Sequence, residues 1–107
     1  MDEKIVEIAF GIIAHAGDAK STAKQAIKQA KQEKYEEARE LIKEAEATLI
    51  KAHKFQTKLI QAEASGSKTE MSVVLVHSQD HLMTTMNFIQ LATEIIEMYE
   101  FISRKIG

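Results

Sequence analysis

Residues 73–84 read VVLVHSQDHLMT, and this stretch decides both the fold of the chain and where its chemistry should be sought. Its apolar residues recur at helical spacing, which predicts the first half of a long helix. His77, Asp80 and His81 stand at i, i+3 and i+4, so they share one face of that helix. Polar side chains on an otherwise largely apolar face are costly to bury unless they are paired, bound or used. These three residues are therefore the first candidates for function.

The same helix carries two apolar rows along its length. The row that includes His77 also contains Val73, Phe88, Leu91, Ile95, Met98 and Ile102. The second row contains Val74, Leu75, Leu82, Met86, Ile89 and Ile96. One helical hairpin cannot cover two broad apolar faces, and an apolar patch left exposed usually marks an interface. The pattern predicts self-association with this helix at the centre.

The composition favours a single domain, residues 1–107, of the all-α class. The chain has 107 residues, of which 45% are apolar and 28% are charged, as in ordinary globular proteins. It has no proline and only four glycines, so little in it interrupts helix formation. No segment alternates between apolar and polar residues in the manner of a strand. We expect an antiparallel three-helix protomer.

Charge and cysteine content exclude several classes of function. A net charge of −2 gives no electrostatic basis for binding nucleic acid. The absence of cysteine excludes disulfides and thiolate metal sites. No apolar run approaches the ~20 residues that a membrane-spanning helix needs, so we expect no direct membrane insertion. The sequence is interpreted as that of a cytoplasmic, soluble protein.

Helix boundaries are marked with different clarity along the chain. The predicted helices span about residues 2–31, 34–64 and 68–104. The first turn is placed where the apolar row is interrupted, because neither glycine nor proline marks it. The second is clearer: Gly66 suits the left-handed position after a helix, and Ser67 with Glu70 forms a capping-box pattern that predicts the start of the third helix.

Two structural interpretations fit the spacing of His77, Asp80 and His81. In the first, a core histidine is hydrogen-bonded to a carbonyl or to Asp80. In the second, the residues bind one metal ion, since zinc helices use histidines at i and i+4. A further protein ligand would then come from elsewhere, with His15 and His53 as the other histidines. We expect structural or groove-lining roles for those two.

A third interpretation is nucleophilic. A neutral imidazole can attack phosphorus, hold a phosphoryl group on nitrogen and pass it on readily. Such a site needs a partly exposed imidazole and donors for the phosphoryl oxygens, which Ser78, Gln79 and His81 could supply. Spacing alone leaves the metal and nucleophilic interpretations open.

Four segments resemble one known family in the same order along the chain. LVHSQDHLMT, residues 75–84, resembles the signature of the IIA component of the lactose/cellobiose (chitobiose) class of the bacterial phosphoenolpyruvate-dependent sugar phosphotransferase system. AHAGDAKS at 14–21, AHKFQT at 52–57 and EASG at 63–66 are similar to three further segments of that family. The resemblance covers nearly the whole chain. Ser78 departs from it, because the family usually has alanine or glycine there.

The resemblance implies a phosphotransferase subunit that acts as a phosphoryl carrier in sugar uptake. His77 would accept the group from the phosphocarrier HPr and give it to the cognate IIB, with Gln79 and His81 in supporting roles. The sugar would be a disaccharide of the cellobiose/chitobiose type or the lactose type, with the Leu75-Val76-His77 pattern favouring the former. The protein would be a homotrimer, a nine-helix bundle with the active histidine in a groove between subunits.

The resemblance also implies a role for Asp80. One copy from each subunit would lie at the threefold axis, where the three carboxylates would share a divalent cation such as Mg²⁺. Three converging carboxylates repel one another, and either protons or a cation must offset that repulsion. The alternative from a different class is a helical metal-binding or scaffold protein with a structural site made of His77, Asp80 and His81.

Overall fold

The computed structural model describes residues 3–66 and 70–107. These residues form three helices, α1 (Glu3–Lys31), α2 (Tyr35–Ala64) and α3 (Val73–Ile106), in a bundle of 58 × 19 × 19 Å. No strand occurs in either described range, so the prediction of an all-α fold is confirmed. Over the same residues, none of the helices has an apolar stretch long enough to cross a membrane.

The turn between α1 and α2 lies where the interruption of the apolar row predicted it. Glu33 adopts the left-handed conformation, with φ of 64°, although this costs a non-glycine residue about 1 kcal/mol. Three backbone hydrogen bonds stabilise the turn: Gln32 N and Lys34 N both donate to Gln29 O, at 3.0 and 2.9 Å, and Glu33 N donates to Ala30 O at 3.0 Å. The backbone therefore turns here without glycine.

The turn between α2 and α3 confirms one prediction and corrects another. Gly66 has φ of 99°, which is the left-handed conformation expected of it. The capping box of Ser67 and Glu70 does not start α3: Ser67 lies outside the described residues, and residues 70–72 are not helical. The N-cap is Ser72, whose extended backbone precedes Val73 and whose hydroxyl accepts a hydrogen bond from Leu75 N at 3.1 Å. The helix then continues to Ile106, two residues beyond the prediction.

The small residues of α1 place this helix in close contact with both others. Its buried positions are occupied almost entirely by alanine, and they are Ala9, Ile12, Ala16, Ala19, Ala23, Ala26 and Ala30. Side chains this short let neighbouring helices approach closely. α1 and α3 run parallel: Lys20 of α1 lies over the ring of Phe88, and Glu33, two residues after the end of α1, accepts a hydrogen bond from Ser103 near the end of α3. α2 runs antiparallel to both.

α3 has one buried face and one exposed face. The buried residues are Leu75, Ser78, Leu82, Thr85, Ile89, Ala92 and Ile96. The other face exposes large apolar side chains, at Val73, Val76, Met83, Leu91, Met98, Phe101 and Ile102. The second apolar row of the sequence is thus the core of the chain. Of the row that carries His77, Val73, Leu91, Met98 and Ile102 are exposed, whereas Phe88 and Ile95 are partly buried. One chain thus leaves much of this row uncovered, as the sequence predicted.

Polar contacts join the start of α2 to the end of α3. The Arg39 guanidinium contacts Glu100 at 2.9 Å and Glu36 at 3.3 Å, and Arg104 contacts Glu100 at 3.3 Å. The hydrogen bond to Glu36 is the main cause that raises the pKa of Arg39 above its ordinary value, with Glu100 adding to it. This group lies at the end of the bundle opposite the His77 region.

Replacing Ser72 by alanine should lower the free energy of unfolding by about 1 kcal/mol, because the Leu75 N–H loses its acceptor. Ser72→Asp restores an N-cap oxygen and should remain close to the parent protein. Urea unfolding at one fixed protein concentration measures both. If Ser72→Ala unfolds at the same urea concentration as the parent, this hydroxyl does not stabilise α3.

Candidate functional site

The segments around residues 14–21, 52–57 and 75–84 meet in the part of the bundle that contains the first turns of α3. The first and third touch at Gly17, where a Cβ would lie 3.6 Å from Nε2 of His81. The second and third touch at Gln56, whose Nε2 donates a hydrogen bond to Oε1 of Gln79 at 2.6 Å. Segments far apart in sequence are therefore assembled around the start of α3.

A contact between two rings joins α1 and α2 close to Gly17 and Gln56 in sequence. His15 stacks on Phe55, with ring centroids 5.6 Å apart and planes inclined by 25°. A Cβ at Gly11 would lie 2.8 Å from the Phe55 ring, so the lack of a side chain there makes room for Phe55. Lys58 Nζ lies 5.2 Å from the centroid of the same ring. His15 thus packs on an aromatic ring, while His53 is exposed on α2.

His77 and His81 lie on consecutive turns of α3 with their rings parallel. Their centroids are 6.0 Å apart and their planes are inclined by only 5°. His81 is half-buried over Gly17, whereas His77 is exposed. The His77 ring therefore packs on the His81 ring, which lies against α1. The His77 ring itself stays accessible to a second protein.

His77 and Asp80 line an open cavity of about 700 Å³ at the start of α3. The cavity is otherwise lined by Met71, Ser72, Val73 and Val76. The Asp80 side chain is exposed there, while its backbone carbonyl accepts a hydrogen bond from Thr84 Oγ1 at 2.9 Å. An imidazole and a carboxylate are thus presented together at an apolar surface.

One chain does not assemble His77, Asp80 and His81 into a metal centre. Within residues 3–66 and 70–107, no three histidine, aspartate or glutamate side chains lie where they could hold one ion. The two imidazoles show part of the reason: their rings are parallel with centroids 6.0 Å apart, whereas two histidines that bind one ion direct a nitrogen each at a common point about 2 Å away. The structural metal site of the alternative interpretation is not supported.

Gln79 lies on a different side of α3 from His77. Its side chain lines a second cavity, of about 560 Å³, between the end of α2 and the start of α3. Its Oε1 accepts from Gln56, while its buried Nε2 has no hydrogen-bond partner among the described residues. Residues two positions apart in a helix differ in direction by about 200° around its axis. Gln79 and His77 of one chain therefore face different cavities. Gln79 thus has a donor to offer, but not to its own His77.

Ser78 and Gln56 belong to the segments that resemble the family, and the structure shows what each side chain contacts. Ser78 is fully buried, and its hydroxyl donates to Leu75 O at 2.7 Å, so the departure from the family pattern is satisfied inside the chain. Gln56 was not singled out from the sequence, although it belongs to the AHKFQT segment. Its pairing with Gln79 became visible only once α2 was placed against α3.

Comparison with known sequences gives a consistent result along the chain. The family described as "PTS system, Lactose/Cellobiose specific IIA subunit" matches residues 7–100. The chain is 49% identical over 107 residues to the lichenan-specific phosphotransferase enzyme IIA component of Bacillus subtilis (strain 168). That alignment covers 100% of this chain and 97% of the relative.

Solved structures show the same similarity. The cellobiose-specific enzyme IIA of Bacillus anthracis superposes with a TM-score of 0.94 at 44% identity, covering 98% of this chain and 96% of that one. The chitobiose IIA in a solution complex with HPr, from Escherichia coli, has a TM-score of 0.82 at 41% identity. It covers 96% of this chain and 99% of that one.

Proposed function

This chain belongs to the lactose/cellobiose-specific IIA subunit family of the phosphotransferase system, and we propose that His77 is the residue on which it carries a phosphoryl group. The observation that carries this proposal is the exposed imidazole beside an open cavity of about 700 Å³, on a helix whose opposite face is packed into the core. A carrier needs such a group, fixed in position and open to both donor and acceptor. His77 combines these properties, whereas His15 packs on Phe55.

The reaction at His77 is an in-line exchange between two imidazoles. A lone pair on a ring nitrogen of neutral His77 attacks the phosphorus of the donor's phosphohistidine. The new P–N bond forms as the old one breaks, and the donor imidazole leaves with the electron pair of that bond. When the group passes to the next protein, the acceptor's nucleophile forms a bond to phosphorus as the His77 P–N bond breaks, and His77 leaves with the electron pair of that bond. Positioning the reacting atoms and stabilising the phosphoryl oxygens therefore provide the catalysis.

The donor we propose is HPr and the acceptor is the cognate IIB. A chitobiose IIA that superposes on this chain with a TM-score of 0.82 was solved in complex with HPr. The apolar residues beside His77, among them Val73 at 86% exposure, give such a partner a surface to contact. The work of the chain is then cytoplasmic, in uptake of a cellobiose/chitobiose-type or lactose-type disaccharide, with similarity to lichenan and cellobiose relatives favouring the former.

The functional assembly we propose is a homotrimer, a nine-helix bundle built around α3. Support comes from the exposed apolar face of α3, including Leu91 at 58% and Phe101 at 60% exposure. A single chain leaves that face in water, and packing it against two copies of itself removes the apolar surface from solvent. The His77 cavity is on the same side of α3, so assembly places each His77 in a groove between two chains.

Within this trimer, Gln79 acts on the neighbouring chain. Its Nε2 is buried without a hydrogen-bond partner among the described residues, and the Gln79 side chain lines the cavity between α2 and α3, not the cavity of its own His77. A donor in that position stabilises phosphoryl oxygens only when another chain brings its phosphohistidine there. Gln56 holds the other end of the amide and so fixes which atom is the donor. His81 supports His77 in the same chain through the parallel ring contact.

Asp80 is the residue that would hold a divalent cation such as Mg²⁺ at the trimer axis. Its carboxylate is exposed on the uncovered face of α3, and carboxylate oxygens are suitable ligands for such a cation. One chain offers one such group, so the fit requires three chains. The bound cation would offset the repulsion between three carboxylates. It has no part in the phosphoryl exchange.

Incubation with phosphoenolpyruvate, enzyme I and HPr should add one acid-labile phosphoryl group per chain, which intact-mass spectrometry detects. His77→Ala should gain none, because it lacks the accepting nitrogen. His15→Ala is the matched control and should be phosphorylated like the parent. A gain that persists in His77→Ala would assign the carrier role to another residue.

Replacing Asp80 by leucine should leave the trimer intact without a divalent cation and should leave phosphoryl acceptance at His77 in place. Leucine suits an apolar seam and removes the charge that the cation offsets. Sedimentation in EDTA measures the assembly and intact mass measures the phosphoryl group. An intact Asp80→Leu trimer that accepts no phosphoryl group would show that Asp80 takes part in the chemistry.

A further inference from the structure

The exposed face of α3 contains a line of polar residues that continues beyond the residues discussed above. Asp80, Asn87 and Glu94 are seven residues apart, and all three side chains are exposed. Val73 and Phe101 continue the line at its two ends, with exposures of 86% and 60%. Because seven residues make almost two turns, successive members of the line differ in direction by only about 20°.

Exposed apolar residues flank this line on one side near Asp80 and on the other side near Glu94. Val76 and Met83 lie along one side, with exposures of 50% and 51%. Leu91 and Met98 lie along the other, with exposures of 58% and 55%. The alternating three- and four-residue spacing of Asn87, Leu91, Glu94, Met98 and Phe101 is that of the contact seam of a coiled coil. Asn87 and Glu94 therefore alternate with Leu91 and Met98 along this seam, while Gln90 and Glu97 are exposed on the side away from those two apolar residues.

We infer that Asn87 and Glu94 form two further polar layers in the seam of the trimer, and that the Glu94 layer weakens assembly through mutual repulsion. This inference rests on the homotrimer proposed above. If α3 helices from three copies place Asp80 around one axis, Glu94 lies around the same axis about 21 Å further along. The second copy of the chain is thus the partner that covers this face.

The two layers have different physical consequences. Asn87 carries both a donor and an acceptor, so three copies can hydrogen-bond to one another, as buried asparagine does when it fixes the register of a coiled coil. Glu94 carries only acceptors when ionised, and three copies in a seam repel one another. Cations on the same helix are far along it, since Arg104 pairs with Glu100 and Lys105 lies over Phe101. The stability of the trimer therefore depends on the charge of Glu94 as well as on that of Asp80.

The test is the concentration at which half of the trimer dissociates, measured by sedimentation in low salt with EDTA. Glu94→Gln keeps the shape of the side chain and removes its charge, so this concentration should fall by about tenfold. Glu46→Gln on the exposed surface of α2 makes the same change in net charge, and it should stay within about twofold of the parent. Equal shifts in both variants, or a rise in Glu94→Gln, would overturn the inference.

Cross-linking separates this inference from the trimer itself. The chain has no cysteine, so Asn87→Cys introduces a single thiol that oxidation should couple between chains, while Glu46→Cys should remain uncoupled. A parent protein that sediments as a trimer without cross-linking in Asn87→Cys would contradict the seam and leave the homotrimer standing. A parent that stays monomeric at every concentration would overturn both. Phosphorylation at His77 is measured independently of either outcome.

Discussion

The structure depends on α3 having two apolar faces in a chain that can cover only one. Leu75, Leu82 and Ile89 pack against the alanine-lined surface of α1 and against α2, and they form the core. His77 and Asp80 stand on the other face among exposed valine, methionine and leucine side chains. His77, on which we propose that the phosphoryl group is carried, and the surface proposed for assembly thus share one side of α3. Function and oligomerisation are therefore expected to depend on each other.

The rigidity of the site follows from the way its neighbours are packed. α1 approaches α3 closely enough for Gly17 to lie against the imidazole of His81, and that ring in turn lies parallel to His77. Gln56 on α2 binds the amide of Gln79 from the other side. The contact at Gly17 joins α1 to α3, and the hydrogen bond of Gln56 joins α2 to α3. The start of α3 is consequently held by both of its neighbours, while the His77 ring itself remains exposed.

Much of this arrangement could be predicted from the sequence, for reasons specific to particular residues. The spacing of His77, Asp80 and His81 on a helix follows from local geometry. The turn at Gly66 could be predicted because few residues other than glycine adopt its left-handed conformation. The start of α3 was predicted too early, because the Ser67–Glu70 pattern competes with Ser72 as a cap and sequence alone does not rank the two. The left-handed Glu33 carries no local signal at all. The pairing of Gln56 with Gln79 depends on how α2 packs against α3, and the sequence alone does not give that packing.

These features together support a chain that transfers a phosphoryl group to an acceptor protein rather than hydrolysing it. The most direct test starts from protein labelled with ³²P through HPr, freed of the donor and mixed with the cognate IIB in a single turnover. We expect the label to move from His77 to IIB, with inorganic phosphate appearing only slowly. Label that stays on the chain, or that leaves only as inorganic phosphate, would contradict it.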